Sequence, residues 1–264
     1  MADADAVRGA GVPDRLPSLD PPVSPGTPPA EPATVMSLVD HLTELRSRII
    51  RSLLAVVAGA VIGFVLAPTI QHVLTAPLPA SALPLQVLGP GDAFGITLQI
   101  AVIVGVILAM PVLLYQLWSF VAPGLTPRER RTLRPWIPLA LFFFALGVTI
   151  AWIILPFAIQ FLLAFTNDVI VAHLAAPPYF NFVTTMFLVF GLLMEFPIVL
   201  YALSRVGIVT SARLRSSRRV IILGIAIFAA VATPGGDLVS PTVLGITMYI
   251  LFEGTVIAIR RSGR

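Results

Sequence analysis

Six runs of predominantly apolar residues, roughly 49–67, 93–121, 136–165, 181–205, 219–234 and 241–259, take up most of the chain. A helix needs about 20 such residues to cross the hydrocarbon core of a bilayer. Backbone amides cannot go unpaired in hydrocarbon, and these runs are too long and continuous for barrel strands, so each reads as a helix. Composition points the same way: 57% hydrophobic and 11% charged residues, with mean hydropathy +0.95, do not suit a water-soluble domain of 264 residues. The expected fold class is therefore all-α, a polytopic membrane protein whose single domain has six transmembrane helices.

Arginine sets the expected orientation. All 17 basic residues are Arg. Outside the N-terminal tail they fall in four places: Arg46, Arg48 and Arg51 at the first run; Arg128, Arg130, Arg131 and Arg134 between the second and third; Arg205, Arg213, Arg215, Arg218 and Arg219 between the fourth and fifth; and Arg260, Arg261 and Arg264 at the end. The intervening loops 68–92, 166–180 and 235–240 contain none. The positive-inside rule then puts both termini on the cytoplasmic side. A sequence pI near 10.3 is thus topological and is no sign of nucleic-acid binding.

Residues 1–35 differ in kind, with eight prolines, five acids and no apolar periodicity. They read as a disordered Pro-rich cytoplasmic tail ahead of a transmembrane domain over 36–259 and a basic tail over 260–264. Met36, directly before the structured pattern, is as good a start on sequence alone as Met1. Cysteine is absent, and His41, His72 and His173 lack metal-ligand spacing, so no metal or cofactor is expected.

Three carboxylates stand out. In "MSLVDHLTELRSRII", Leu38, Leu42, Leu45 and Ile49 recur at helical spacing behind a candidate N-cap, Ser37, so an amphipathic helix runs into the first span. Asp40 and Glu44 form a like-charge i,i+4 pair, while Glu44 and Arg48 form a favourable one. In "FVAPGLTPRERRTLRP", Thr126, Pro127 and Glu129 fit N-cap, N1 and N3 of a short helix. Glu129 is also the one acid among four arginines there, and a fixed carboxylate can accept a guanidinium at two points. In and just before "FGLLMEFPIVLYAL", Thr184, Gly191, Glu195 and Ala202 share one helical face, small or polar, which should meet protein or water rather than lipid. Pro197 leaves the carbonyl of Leu193 without a donor and predicts a kink beside Glu195; Pro111 and Pro156 predict the same in the second and third spans. An intramembrane carboxylate is costly and points to function, the alternative being a glutamate hydrogen-bonded inside the bundle. The last two helices read as short: Val220–Ala232 is 13 residues, about 20 Å against a core of about 30 Å.

The blocks "SLVDHLTELRSRI", "PVLLYQLWSFVAPGLTPRERR", "FGLLMEFPIVLYAL" and "ATPGGD…MYILFE" resemble, in order, the motifs of TatC, the polytopic subunit of the twin-arginine protein translocase, over about residues 36–256. The resemblance implies a concave, glove-like bundle in the inner membrane that binds the paired arginines of signal peptides. It also implies export of folded cargo with TatA-like and TatB-like single-span subunits, driven by the proton motive force, by a homo-oligomeric receptor complex that is not an enzyme. By the same resemblance Glu44, Glu129, Leu45, Arg46, Gln116, Phe120 and Pro123 bind signal peptide, Glu195 is the intramembrane polar site, and Thr233 and Asp237 contact partner subunits. Departures occur in the last hairpin: TPGGD carries an extra residue against the family's common TPPD, and Pro241 and Thr247 replace residues frequent there. Two other classes compete. One is an ion-coupled carrier using Glu195, for which repeated halves are missing. The other is an intramembrane hydrolase using Ser240, which has no motif around it.

Overall fold

The computed structural model describes residues 38–124, 126, 136–166, 173–205, 207, 209–233 and 236–261. The chain divides into two compact units, Met1–His41 and Leu42–Arg264. Of the first only Leu38–His41, the opening of a helix, is described; the expected disordered tail lies outside the described residues. Eight α-helices follow in order: α1 Leu38–Thr75, α2 Asp92–Val121, α3 Trp136–Leu163, α4 Ala176–Leu193, α5 Phe196–Arg205, α6 Ser211–Ser216, α7 Arg218–Ala232 and α8 Val239–Arg261. No strand occurs among the described residues beyond an isolated bridge between Gln86 and Ala175. The all-α expectation holds.

Five segments are long and apolar enough to cross a membrane: Leu42–Thr75, Asp92–Val121, Trp136–Leu163, Ala176–Arg205 and Val239–Arg261. The run expected as the fifth span forms α7, only 15 residues and about 22 Å long. Its partner in the hairpin is not short. α8 has 23 residues, because the helix continues past the apolar run through Arg260 and Arg261. The expectation of two short helices is corrected to one.

The amphipathic start and the first span form a single helix of 38 residues. α1 meets α2 along glycine. A Cβ on Gly59 would lie 2.8 Å from the Gly105 carbonyl oxygen, and one on Gly63 2.7 Å from that of Ala101. Two small-xxx-small pairs thus face each other and bring the backbones together, as hydrocarbon favours when apolar burial alone drives no association. α3 and α4 pack equally closely, since a Cβ on Gly147 would sit 2.4 Å from the Phe190 oxygen. Around this contact Leu155, Met186, Phe190 and Met194 are fully buried together with Leu244 and Phe252 of α8.

Proline acts unequally. α4 ends at Leu193 and α5 begins at Phe196, so the chain turns at Met194–Glu195, beside Pro197 as expected. α2 and α3 remain single helices through Pro111 and Pro156, as α1 does through Pro68.

Antiparallel packing gathers the described arginines from Arg48 onward toward one end. Arg48 of α1 reaches Gln116 near the end of α2, and Arg218 at the start of α7 reaches Glu253 of α8. The opposite end is closed by the segment after α1. Gln86 N–H donates to Leu174 O (2.9 Å) and Ala176 N–H to Gln86 O (2.7 Å). Beneath it lies a cavity of about 610 Å³ that Gln71, His72 and Thr97 help to line.

Candidate recognition site at the arginine-rich end

Glu44 sits on the second turn of α1, four residues before Arg48, so both side chains leave the same helix face. Arg48 Nε donates to Glu44 Oε1 at 3.0 Å and a second guanidinium nitrogen closes on the same oxygen. Its remaining nitrogen reaches Gln116 Oε1 at 3.4 Å, at the outer limit of a hydrogen bond. The guanidinium thus joins Glu44, on its own helix, to Gln116, 68 positions beyond Arg48. Gln116 is buried and Glu44 keeps a side-chain exposure of 21%. The second carboxylate oxygen, Oε2, is shielded from solvent and has no partner among the described residues. An ionised carboxylate offers about four acceptor sites, and Arg48 fills only the Oε1 side.

Of the other residues expected here, Leu45 and Phe120 are half-buried and Arg46 is exposed. Pro123 is exposed in the single 3₁₀ turn Ala122–Gly124 that ends α2. Glu129 lies outside the described residues, as does its capping box.

Glu195 is elsewhere. It occupies the α4–α5 turn, where its carbonyl accepts from Ile198 N (3.0 Å) and Val199 N (3.1 Å) and so starts α5. Its carboxylate is partly enclosed, with Oε1 buried and unpartnered among the described residues. One turn earlier Gly191 lies flush on the Phe144 ring, 2.7 Å from where a Cβ would sit. Any side chain there would have to displace the Phe144 ring of α3.

Thr233 and Asp237 are remote from Glu44, at the turn of the α7–α8 hairpin, and both are buried. Thr233 Oγ1 donates to Ala229 O (2.9 Å), while Asp237 Oδ1 accepts from Ser240 N (2.6 Å) and caps α8. Asp237 Oδ2 has no partner among the described residues.

Two functional candidates escaped the sequence reading. Arg48 figured there only as a counter-ion, yet it joins Glu44 to Gln116. Glu253, inside the last apolar run, pairs with Arg218 at 2.6 Å and keeps Oε1 buried and unpartnered. The signal for Glu253 was the one used for Glu195, a carboxylate in an apolar helix. Among the described residues no three His, Asp or Glu are placed to hold a metal.

These features define a multi-pass, all-helical membrane protein. Residues 40–246 match the family described as Sec-independent protein translocase protein (TatC). A relative of that name from Carboxydothermus hydrogenoformans is 35% identical over 84% of this chain and 91% of its own length. Another from Desulforapulum autotrophicum is 38% identical over 85% and 84%. A solved structure described as the twin arginine translocase receptor TatC in DDM superposes with a TM-score of 0.73, at 33% identity, over 83% of this chain and 99% of that one. The chain belongs to the TatC family, and it is a membrane component of the Sec-independent protein translocase, not an enzyme.

Proposed function

We propose that this chain is the receptor subunit that captures the twin-arginine signal peptide of folded cargo at the arginine-rich, cytoplasmic end of the bundle. The observation that carries the reading is Glu44: Arg48 and Gln116 fix one side of its carboxylate, and Oε2 is left without a partner. A small rotation of this half-exposed side chain presents Oε2 to an incoming guanidinium. Planar two-pronged donation makes such a contact specific for Arg over Lys. Glu129 supplies the second carboxylate, Phe120 and Leu45 meet the apolar part of the peptide, and Arg46 and Pro123 border the site.

The chain spans the inner membrane six times with both termini in the cytoplasm, the short α7 crossing where the bilayer is locally thinned. Glu195 anchors a polar contact inside the membrane after capture. Thr233 and Asp237 contribute to docking of TatA-like and TatB-like single-span subunits around a homo-oligomeric core powered by the proton motive force.

The test is binding of a fluorescent signal peptide to the purified full-length chain in detergent, with Arg-Arg compared against Lys-Lys. Tighter binding of Arg-Arg, lost in both Glu44→Ala and Glu129→Ala, supports the reading. Equal binding of the two peptides, or an unchanged preference in the double alanine variant, overturns it.

A further inference from the structure

Below the arginine-rich end, α2, α3 and α5 enclose a groove of about 300 Å³ that none of the assignments above uses. Leu117 and Trp118 of α2, Trp136 and Ala140 of α3, and Ile198 and Ala202 of α5 wall it, and its lining is almost wholly apolar. The groove runs along the bundle rather than across it. From Leu114 to Val121 on α2 is seven residues, about 10 Å of helix. All three walls belong to segments apolar enough to cross a membrane.

Its outer rim is polar and aromatic. The Trp136 ring stacks on Tyr201, with centroids 3.7 Å apart and planes 17° from parallel. Tyr201 in turn holds Arg205: Nε donates to the Tyr201 hydroxyl at 2.9 Å and the guanidinium carbon lies 5.0 Å from the ring centre. Trp, Tyr and Arg at one level are what a membrane–water interface selects, and basic pockets between transmembrane helices hold anionic headgroups.

We propose that this groove is a binding site for one anionic phospholipid, its acyl chain lying between α2, α3 and α5 and its phosphate meeting the Arg205 guanidinium. Size separates this occupant from a transmembrane helix. A helix about 10–12 Å across would have to sit over the mouth, whereas the groove, about 10 Å long on α2 with walls almost wholly apolar, takes the upper part of one extended hydrocarbon chain. The rim separates it from a neutral lipid, since the positive charge of Arg205 lies one turn beyond Ala202 and two beyond Ile198 and rewards a headgroup with net negative charge. Tyr201, pinned between Trp136 and Arg205, fixes where that charge sits. The site is distinct from the Glu44 cluster, because neither Glu44 nor Arg48 nor Gln116 lines the groove.

Trp118 and Trp136 report on the site directly. The chain has three tryptophans, and the third, Trp152, is exposed at 41% and contacts Phe187. In a full-length Trp152→Phe variant only the groove pair emits. We would reconstitute it in nanodiscs of unlabelled phosphatidylcholine and titrate phosphatidylglycerol carrying dibrominated acyl chains, with dibrominated phosphatidylcholine as the comparison. The expected result is quenching that saturates at low mole fraction of phosphatidylglycerol, while phosphatidylcholine quenches only in proportion to its amount. Ala202→Phe, which fills the groove, should remove the saturable phase. Arg205→Gln, outside the groove itself, should raise the half-saturating fraction about fivefold, the effect of one basic residue near an anionic surface. Unchanged circular dichroism and elution volume show that each variant is folded. Equal quenching by both lipids overturns the proposal, as does saturable quenching that survives both variants. If phosphatidylglycerol fails to quench and a signal peptide brominated in its apolar segment does so, the groove belongs to the peptide and the proposal is likewise overturned.

Discussion

The two ends of the α1–α2 pair use hydrogen bonds in opposite ways. At the arginine-free end, Gln71 Nε2 donates to Thr97 Oγ1 at 3.3 Å, and Tyr179 of α4 donates its hydroxyl to Leu74 O at 2.6 Å. That carbonyl is among the last four of α1, which have no partner within the helix, so Tyr179 finishes α1 from outside. All of these groups are neutral and each bond is complete within the chain. At the arginine-rich end, Glu44, Arg48 and Gln116 link the same two helices through charge and leave one carboxylate oxygen over. A neutral pair that satisfies itself holds the fold; a shielded charge with unused acceptor capacity costs free energy until something fills it. Between the ends runs the Gly59–Gly63–Gly105 seam, which keeps both in register.

The strongest way to break the comparison is to open the seam. Gly105→Leu would set a Cβ 2.6 Å from Val56 O and 2.7 Å from Ala60 N, both backbone atoms that cannot yield. Overpacking of this kind costs about 3 kcal/mol or more, and both ends should fail together. A sharply lower melting temperature in detergent, with peptide binding lost, is the expected result; a normal melt would show that the seam is not what holds the two helices together. Next, Glu44→Ala should weaken binding of a twin-arginine peptide by about 2 kcal/mol, within the range for hydrogen bonds to charged groups. The melting temperature should barely move, because the residue that remains, Arg48, still reaches both Gln116 and solvent.

The reverse pattern is expected at the other end. Tyr179→Phe removes the donor to Leu74 O and should lower stability by about 1 kcal/mol, leaving peptide affinity unchanged. A loss of affinity in this variant would mean that the ends are coupled and not separate. The smallest effect belongs to Gln71→Ala, about 0.6 kcal/mol by the average for side-chain hydrogen bonds between transmembrane helices. It is readable only as a small shift of the melting midpoint, and a shift as large as that of Tyr179→Phe would revise the account of this end.

Much of this was legible before any coordinates. Five of the six apolar runs became segments able to span a membrane, and the Glu44–Arg48 pair followed from i,i+4 spacing alone. Proline and helix breaks do not coincide one for one. Pro197 marks a real interruption, while Pro68, Pro111 and Pro156 are absorbed into continuous helices. A proline removes one donor and crowds one carbonyl, and packing around that turn decides whether the helix parts. The extent of α8 was missed for a related reason: hydropathy ends at the last apolar residue, but backbone hydrogen bonding continues through arginine, a good helix former.

Sequence by itself determined the solvent this protein folds in, the helical class, the grouping of its arginines and the carboxylates worth suspecting. These follow from local quantities, the transfer free energy of each side chain and the 3.6-residue period, which need no knowledge of neighbours. Only the tertiary structure decided that Arg48, beside Glu44, reaches Gln116 across 68 residues, that Glu253 answers Arg218, and that Thr233 and Asp237 turn inward. In hydrocarbon those choices rest on where backbones can approach, at Gly59, Gly105 and Gly147, and a glycine in a sequence does not say which helix will come to meet it.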